Sequence, residues 1–214
     1  MAVVVVAGRK GGIGKSTITG NLAAEFFAMG HTVSALDADP QHSLAAWAKQ
    51  GRGMLSKCVE KVNGGPEELR VKIRVARGTV DMVFVDTPPG LMEVAYQAML
   101  LADLVLLPCG PSPLDIFPLK EALNLALKAR AERRSKKPRI RFVPSKILRS
   151  TTLGRELATS LAELGRKVLP AVGQRVVIAE AVVTGLTVRE FAPGSAAQLE
   201  FEELAKAVDK IIRR

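Results

Sequence analysis

The sequence is short of aromatic residues, of cysteine and of long apolar runs, and each shortage removes a class of protein. Aromatics are 4% of 214 residues, so a core must come from Val, Leu, Ile and Ala, which favours α/β layers. Hydrophobic residues at 48% and charged residues at 24% are ordinary for a water-soluble globular chain long enough for one sizeable core. Cys58 and Cys109 stand alone, which excludes a disulfide framework and any cysteine metal spacing; both are expected to pack as small hydrophobes. His31 and His42 complete no metal set with them. The opening "MAVVVVAGRKGG" is too short for a membrane span and lacks the basic start and cleavage region of a signal peptide, so a cytosolic chain is expected.

Acids are scarce in one place. From Lys128 to Arg149, ten Lys or Arg stand against Glu132 alone, a local +9 within a net charge of +10. The basicity is therefore local, as a footprint for a polyanion would be.

What is present in abundance is alternation. "AVVVVAG" (2–8) is a continuous β-branched run, as expected of a parallel strand buried on both faces. Ile18, Leu22, Ala23, Phe26, Phe27 and Met29 then share a helical face that stops at Gly30. Further strands are expected at 31–39, 80–90, 102–110, 139–145 and 166–172. Helices are expected at 66–77, 92–101, 114–134, 152–164, 176–184 and 195–213. No repeat or low-complexity tract interrupts the pattern. It predicts one domain over 1–214, an α/β doubly wound, mostly parallel sheet flanked by helices, with ligand at the carboxyl ends of the strands.

Between the first strand and helix lies "GRKGGIGKST" (8–17). Gly11, Gly12 and Gly14, with Ile13 between them, let backbone N–H groups turn onto phosphate oxygens at a helix N-terminus. Lys15 is placed for the β- and γ-phosphates, Ser16 for Mg²⁺ and Thr17 for the α-phosphate. "VFVDTPPG" (83–90) ends an apolar strand with Asp86, positioned near Mg²⁺ through water. No acid follows Asp86, so intrinsic hydrolysis is expected to be slow. The strict G-x-x-x-x-G-K-[ST] pattern has Arg9 in place of its first glycine, and a second lysine, Lys10, lies inside the loop.

"KGGIGKST" resembles the deviant phosphate loop of the ParA/MinD family of ATPases, whose signature lysine stands at Lys10, and the likeness extends over nearly the whole chain toward small ParF-type partition ATPases. The resemblance implies a P-loop NTPase of the SIMIBI type, a three-layer sandwich. It also implies Mg·ATP as ligand and a face-to-face homodimer in which Lys10 reaches the partner's nucleotide. "DADPQ" (37–41) matches the family's first switch, which makes Asp39 the orienter of the attacking water and Asp37 an outer partner of Mg²⁺. Thr87, Pro88, Pro89 and Gly90 resemble the second switch. The catalytic set so implied is Lys10, Lys15 and Asp39. The loops near 144–146 and 191–193 are candidates for the adenine pocket.

The resemblance further implies a ParB-like or other cargo-adaptor partner, non-specific DNA binding and a nucleoid-associated location. With no helix-turn-helix extension ahead of the first strand, operator binding is not expected. Arg133, Arg134, Lys136, Lys137 and Arg139 in the basic run, with Arg166, Lys167, Arg175 and Arg189, are the candidate DNA contacts. Two alternatives stay open. A MinD-like membrane ATPase would need a basic amphipathic C-terminal helix, but Glu200, Glu202 and Glu203 disfavour anionic lipid, and core packing is the simpler explanation of its apolar stripe. An ATP-dependent biosynthetic enzyme would need a substrate pocket beside the γ-phosphate. Trp47 is expected to pack the helix after the first switch.

Overall fold

Ala2–Val6 are all buried and form the first strand, β1, at the centre of a computed structural model that describes residues 1–90 and 93–213. The chain continues through α1 (Lys15–Ala28), β2 (Val33–Asp37), α2 (Ser43–Gln50), α3 (Leu55–Cys58), β3 (Val59–Lys61), α4 (Gly65–Ala76), β4 (Met82–Asp86) and α5 (Glu93–Leu101). It then forms β5 (Leu104–Cys109), α6 (Pro113–Ala131), β6 (Arg139–Pro144), α7 (Thr152–Ala162), α8 (Val176–Val183), α9 (Val188–Phe191) and α10 (Ala196–Ile212).

The six strands are parallel in the order β3-β2-β4-β1-β5-β6. Alternate residues of β1 serve opposite faces. Val3 and Val5 join a core with α4, α5, α6 and α7; Val4 and Val6 join one with α1, α2 and α10. Helices on both faces explain why the strands read as unbroken apolar runs and not as alternating ones.

The topology places the site. From β1 the chain leaves to one face through α1, and from its neighbour β4 it leaves to the other through α5. A crevice opens at the carboxyl ends of this pair. Val6 is in register with Asp86 of β4, and Asp86 with Asp37 of β2, so the two acids stand side by side at the crevice floor.

Sequence expectation and structure agree on most elements, with ends shifted by a few residues. The expected strand at 166–172 is a correction: the segment makes only isolated bridges, Phe142 with Val168 and Ile147 with Gly173. Pro144 of β6 has no N–H to give to the Leu169 carbonyl, which ends the ladder between them. The sequence pattern also missed β3, α3 and α9, each three or four residues long. Residue 92, the expected start of α5, lies outside the described residues.

Candidate functional site

The loop after β1 turns back on itself at Gly12 (φ 73°) and Gly14 (φ 92°), left-handed conformations that glycine adopts without strain. Ile13 is buried and its side chain fills the space where Gly8 would carry a Cβ, which locks the base of the loop. Lys15, 6% exposed, opens α1 and donates from Nζ to the Lys10 carbonyl at 3.2 Å. Burial lowers its pKa, while Asp86 and Asp39 act in the opposite direction. Its ammonium therefore sits in the field of both acids.

Asp86 is fully buried, and neither carboxylate oxygen has a hydrogen-bond partner among the described residues. Its pKa is pushed up to about 8, first by burial and further by Asp37 and Asp39, with Ser16 and Lys15 pulling it down. An orphaned buried carboxylate facing a serine hydroxyl fits a hard divalent cation, whose charge would restore the ionised form.

Asp37 differs from Asp86 in being fully engaged. It accepts the Asp39 N–H at 3.1 Å and, at 2.8 Å, the Ala45 N–H in the first turn of α2. It thus pins the segment that carries Asp39 to the helix that follows. Asp39, 8% exposed, accepts the Gln41 N–H at 2.9 Å on one oxygen. Beyond β4, the Thr87 hydroxyl donates to the Val6 carbonyl at 3.0 Å and the Gly90 N–H to the Arg9 carbonyl at 2.7 Å. These bonds bracket Pro88 and tie the end of β4 to the phosphate loop.

Beside Gly14 and Thr17 opens a cavity of 840 Å³, walled by Ser145 and Lys146 on one side and by Val172–Val176 and Ile178 on the other. The expected 144–146 loop therefore borders it. The 191–193 loop does not line it, because Arg189 pairs with Glu25 of α1 and the Val188 N–H bonds Asn21, fastening α9 against α1. Residues 172–178 were missed; the bridges that bring them beside β6 leave no local sequence signal. Trp47 does pack as expected: its Nε1 donates to the Leu186 carbonyl at 3.0 Å, joining α2 to the α8–α9 connection.

The candidate DNA residues are dispersed. Arg175 makes a double contact with Glu200, and Arg189 pairs with Glu25 and Glu202. The Arg133 guanidinium donates to the Ala102 carbonyl, Arg139 to that of Ile211, and Lys137 pairs with Asp103 at 2.7 Å. Arg134, Lys136, Arg166 and Lys167 make no ion pair among the described residues. These four flank the amino-terminal half of β6, at the end of the sheet opposite the crevice. Nearby, the Arg141 pKa is lowered, first by burial and then by Arg139, Arg130 and Arg166, which marks a concentration of like charge.

A sequence model of the CobQ/CobB/MinD/ParA nucleotide-binding domain matches residues 4–188. The chain belongs to this family. Within it, the chain is 30% identical to Maintenance of carboxysome distribution protein A of Halothiobacillus neapolitanus, across 98% of this chain and 95% of that one. It is 26% identical to the chromosome-partitioning ATPase Soj of Thermus thermophilus, across 96% and 94%. The solved structure of apo McdA from Cyanthece shares the fold with a TM-score of 0.81 at 16% identity, covering 97% of this chain and 99% of that one. Membership agrees with the architecture found here, from the strand order to the phosphate loop. No helix among the described residues is long and apolar enough to cross a membrane. The apolar stripe of α10 is spent on the core, where Phe201, Leu204 and Val208 are fully buried.

Proposed function

We propose that the chain is a ParA-type ATPase that pairs on Mg·ATP, holds DNA without sequence preference and positions an intracellular cargo, with hydrolysis stimulated by an adaptor protein bound to that cargo. The observation that carries this reading is the orphaned Asp86 carboxylate beneath a glycine-turned loop, next to Lys15 and Ser16 and beside a cavity large enough for a nucleotide base. The relatives' names add the class of work, since one distributes carboxysomes and another partitions chromosomes.

Lys15 and the loop N–H groups hold the phosphates, and the wall at 172–178 faces the base. Ser16 and Asp86 would hold Mg²⁺, which would supply countercharge to the phosphate oxygens. Asp37 fixes the backbone of Asp39, leaving one Asp39 oxygen to orient water. Phosphoryl transfer needs mainly positioning and charge compensation, and a cation delivered by a second molecule accelerates such reactions by roughly 10³- to 10⁵-fold. Lys10, half exposed at the loop surface, is the residue assigned to that delivery. Chemistry then follows pairing, and slow turnover of the unpaired chain is its consequence.

The test combines light scattering with ATP titration. Lys15→Ala should abolish ATP binding, Lys10→Ala should bind ATP yet remain unpaired, and Asp39→Ala should pair and persist. A Lys10→Ala chain that pairs as the wild type does would remove the trans role. Release of phosphate onto a small-molecule acceptor would instead mark a biosynthetic enzyme on the same fold.

A further inference from the structure

Three arginines gather beside β6 with no acid to meet them. Arg130 comes from the last turn of α6, Arg141 from β6 itself and Arg166 from the bend after α7. The last is delivered by the chain's return: Gly165 (φ 75°) turns the backbone out of α7. The Phe142 N–H then bonds the Lys167 carbonyl at 3.2 Å, and the Leu169 N–H bonds that of Phe142 at 2.9 Å. Because the Phe142–Val168 bridge is parallel, Arg166 falls level with the Ile140–Arg141 stretch.

All three arginines are half-buried, and none forms an ion pair among the described residues. Arg141 donates to the carbonyl of its own neighbour Ile140, at 2.8 Å, which leaves its other nitrogens unspent. The Nε of Arg166 is buried without a hydrogen-bond partner among the described residues. Arg139 on the same strand differs, since its guanidinium is given to the Ile211 carbonyl. Burial lowers the Arg141 pKa, Arg139, Arg130 and Arg166 lower it further, and no acid opposes them. The carbonyl end of α6 accounts for a cation at Arg130 but not for two more on other elements. Desolvating unpaired guanidinium groups costs stability, and gathering like charges adds to the cost. An anion offsets both, and the forked guanidinium matches phosphate oxygens through paired N–H···O bonds.

We propose that Arg130, Arg141 and Arg166 form a phosphate-binding site at the amino-terminal half of β6, separate from the crevice and serving a phosphate group other than the nucleotide's. Its bearer is a soluble phosphate compound or the backbone of a nucleic acid, and the recognition chemistry is the same. The site does not rest on the DNA-holding part of the function proposed above, because inorganic phosphate alone tests it.

The experiment titrates the full chain with inorganic phosphate against chloride at constant ionic strength and reads thermal unfolding. The phosphate loop also takes phosphate, so the titration is run in a Lys15→Ala background. Phosphate should still raise the melting temperature there. Adding Arg141→Gln should raise the apparent dissociation constant about tenfold, the loss of one charge-assisted contact. Arg166→Gln should act alike, so a folding defect in one variant does not decide the outcome. Arg74→Gln, an exposed cation on α4, removes the same charge elsewhere and should leave the response intact. Retention on duplex DNA, with and without phosphate, then identifies the bearer. If Arg141→Gln weakens retention and phosphate competes in wild type, the site grips a nucleic-acid backbone. If the phosphate response is lost while retention is unchanged, it holds a soluble compound, and either result supports the site. A Lys15→Ala chain that gains nothing from phosphate overturns the proposal. So does a gain that survives both Arg141→Gln and Arg166→Gln, or one that Arg74→Gln reduces equally.

Discussion

Burying Asp86 without a hydrogen-bond partner among the described residues costs the folded chain stability. A carboxyl raised to about 8 binds a proton in the folded state at pH values where the unfolded chain has released it. The folded state therefore holds more protons between roughly pH 4 and pH 8, and stability contributed by this residue falls as pH rises through that window. Asp86→Asn should remove that part of the slope. With chelator present, thermal unfolding should show the variant stabilised near pH 8, on the order of 5 kcal/mol if the whole window counts at about 1.4 kcal/mol per pH, and close to wild type near pH 4. It should also lose the extra stabilisation that Mg²⁺ gives the ATP-bound wild type. Equal pH slopes in the two proteins would contradict the assignment of Asp86 as the buried, unpartnered acid. Lys15, Ser16 and Asp86, which the structure brings together, could be picked out in sequence because the proposed phosphate and cation chemistry asks for these residue types at the ends of strands and the start of a helix. Asp115, which pairs with Lys10 Nζ from the first turn of α6, was not, for it lies 105 positions from Lys10 and reads locally as an ordinary first-turn acid.

Among elements, those with a long period were readable and those set by distant pairing were not. A 14-residue α1 that follows a glycine-rich loop and the five-residue buried strands announce themselves, whereas three residues of β3 hold no period and exist because β2 offers them an edge. The wall of the cavity proposed to take the base belongs to the second kind. Gly173–Arg175 has no regular structure of its own; Glu200 of α10 fixes it by accepting the Gly173 N–H at 2.9 Å and the Arg175 guanidinium at 2.8 Å. Burial raises the pKa of Glu200, but Arg175, the Gly173 N–H and Arg149 outweigh it and leave the group below its usual range. Glu200→Gln weakens this anchor. ATP affinity, measured by calorimetry, should fall roughly three- to tenfold, equivalent to about 1 kcal/mol, with the turnover of the saturated enzyme preserved. A lower melting temperature with unchanged ATP affinity would detach the wall from the nucleotide site.

At the scale of the molecule, the sheet separates two ends with different chemistry: the crevice at the carboxyl ends and the arginine-rich edge at the amino end of β6. The sequence located the second as a run of positive charge but could not sort it, because charge in a string does not reveal which cations already have partners. Arg189→Ala leaves Glu25, 2% exposed, without its guanidinium, so the expected result is a loss of about 3–5 kcal/mol of stability. Arg134 and Lys136 have no such duty. Their joint replacement by Ala should leave melting unchanged and act on DNA alone, weakening it equally for every sequence. If about five phosphates are contacted, wild-type retention in the ATP state should fall with a log-log salt slope near −4.5, and the double variant should flatten it by about 1.8. Two sets of arginines are thus separable by one pair of assays, since a structural cation moves the melting curve and a phosphate-binding one moves the salt slope. A double variant with an unaltered slope would place the DNA surface elsewhere, and the like charge gathered around Arg141 would then need another anion to explain it.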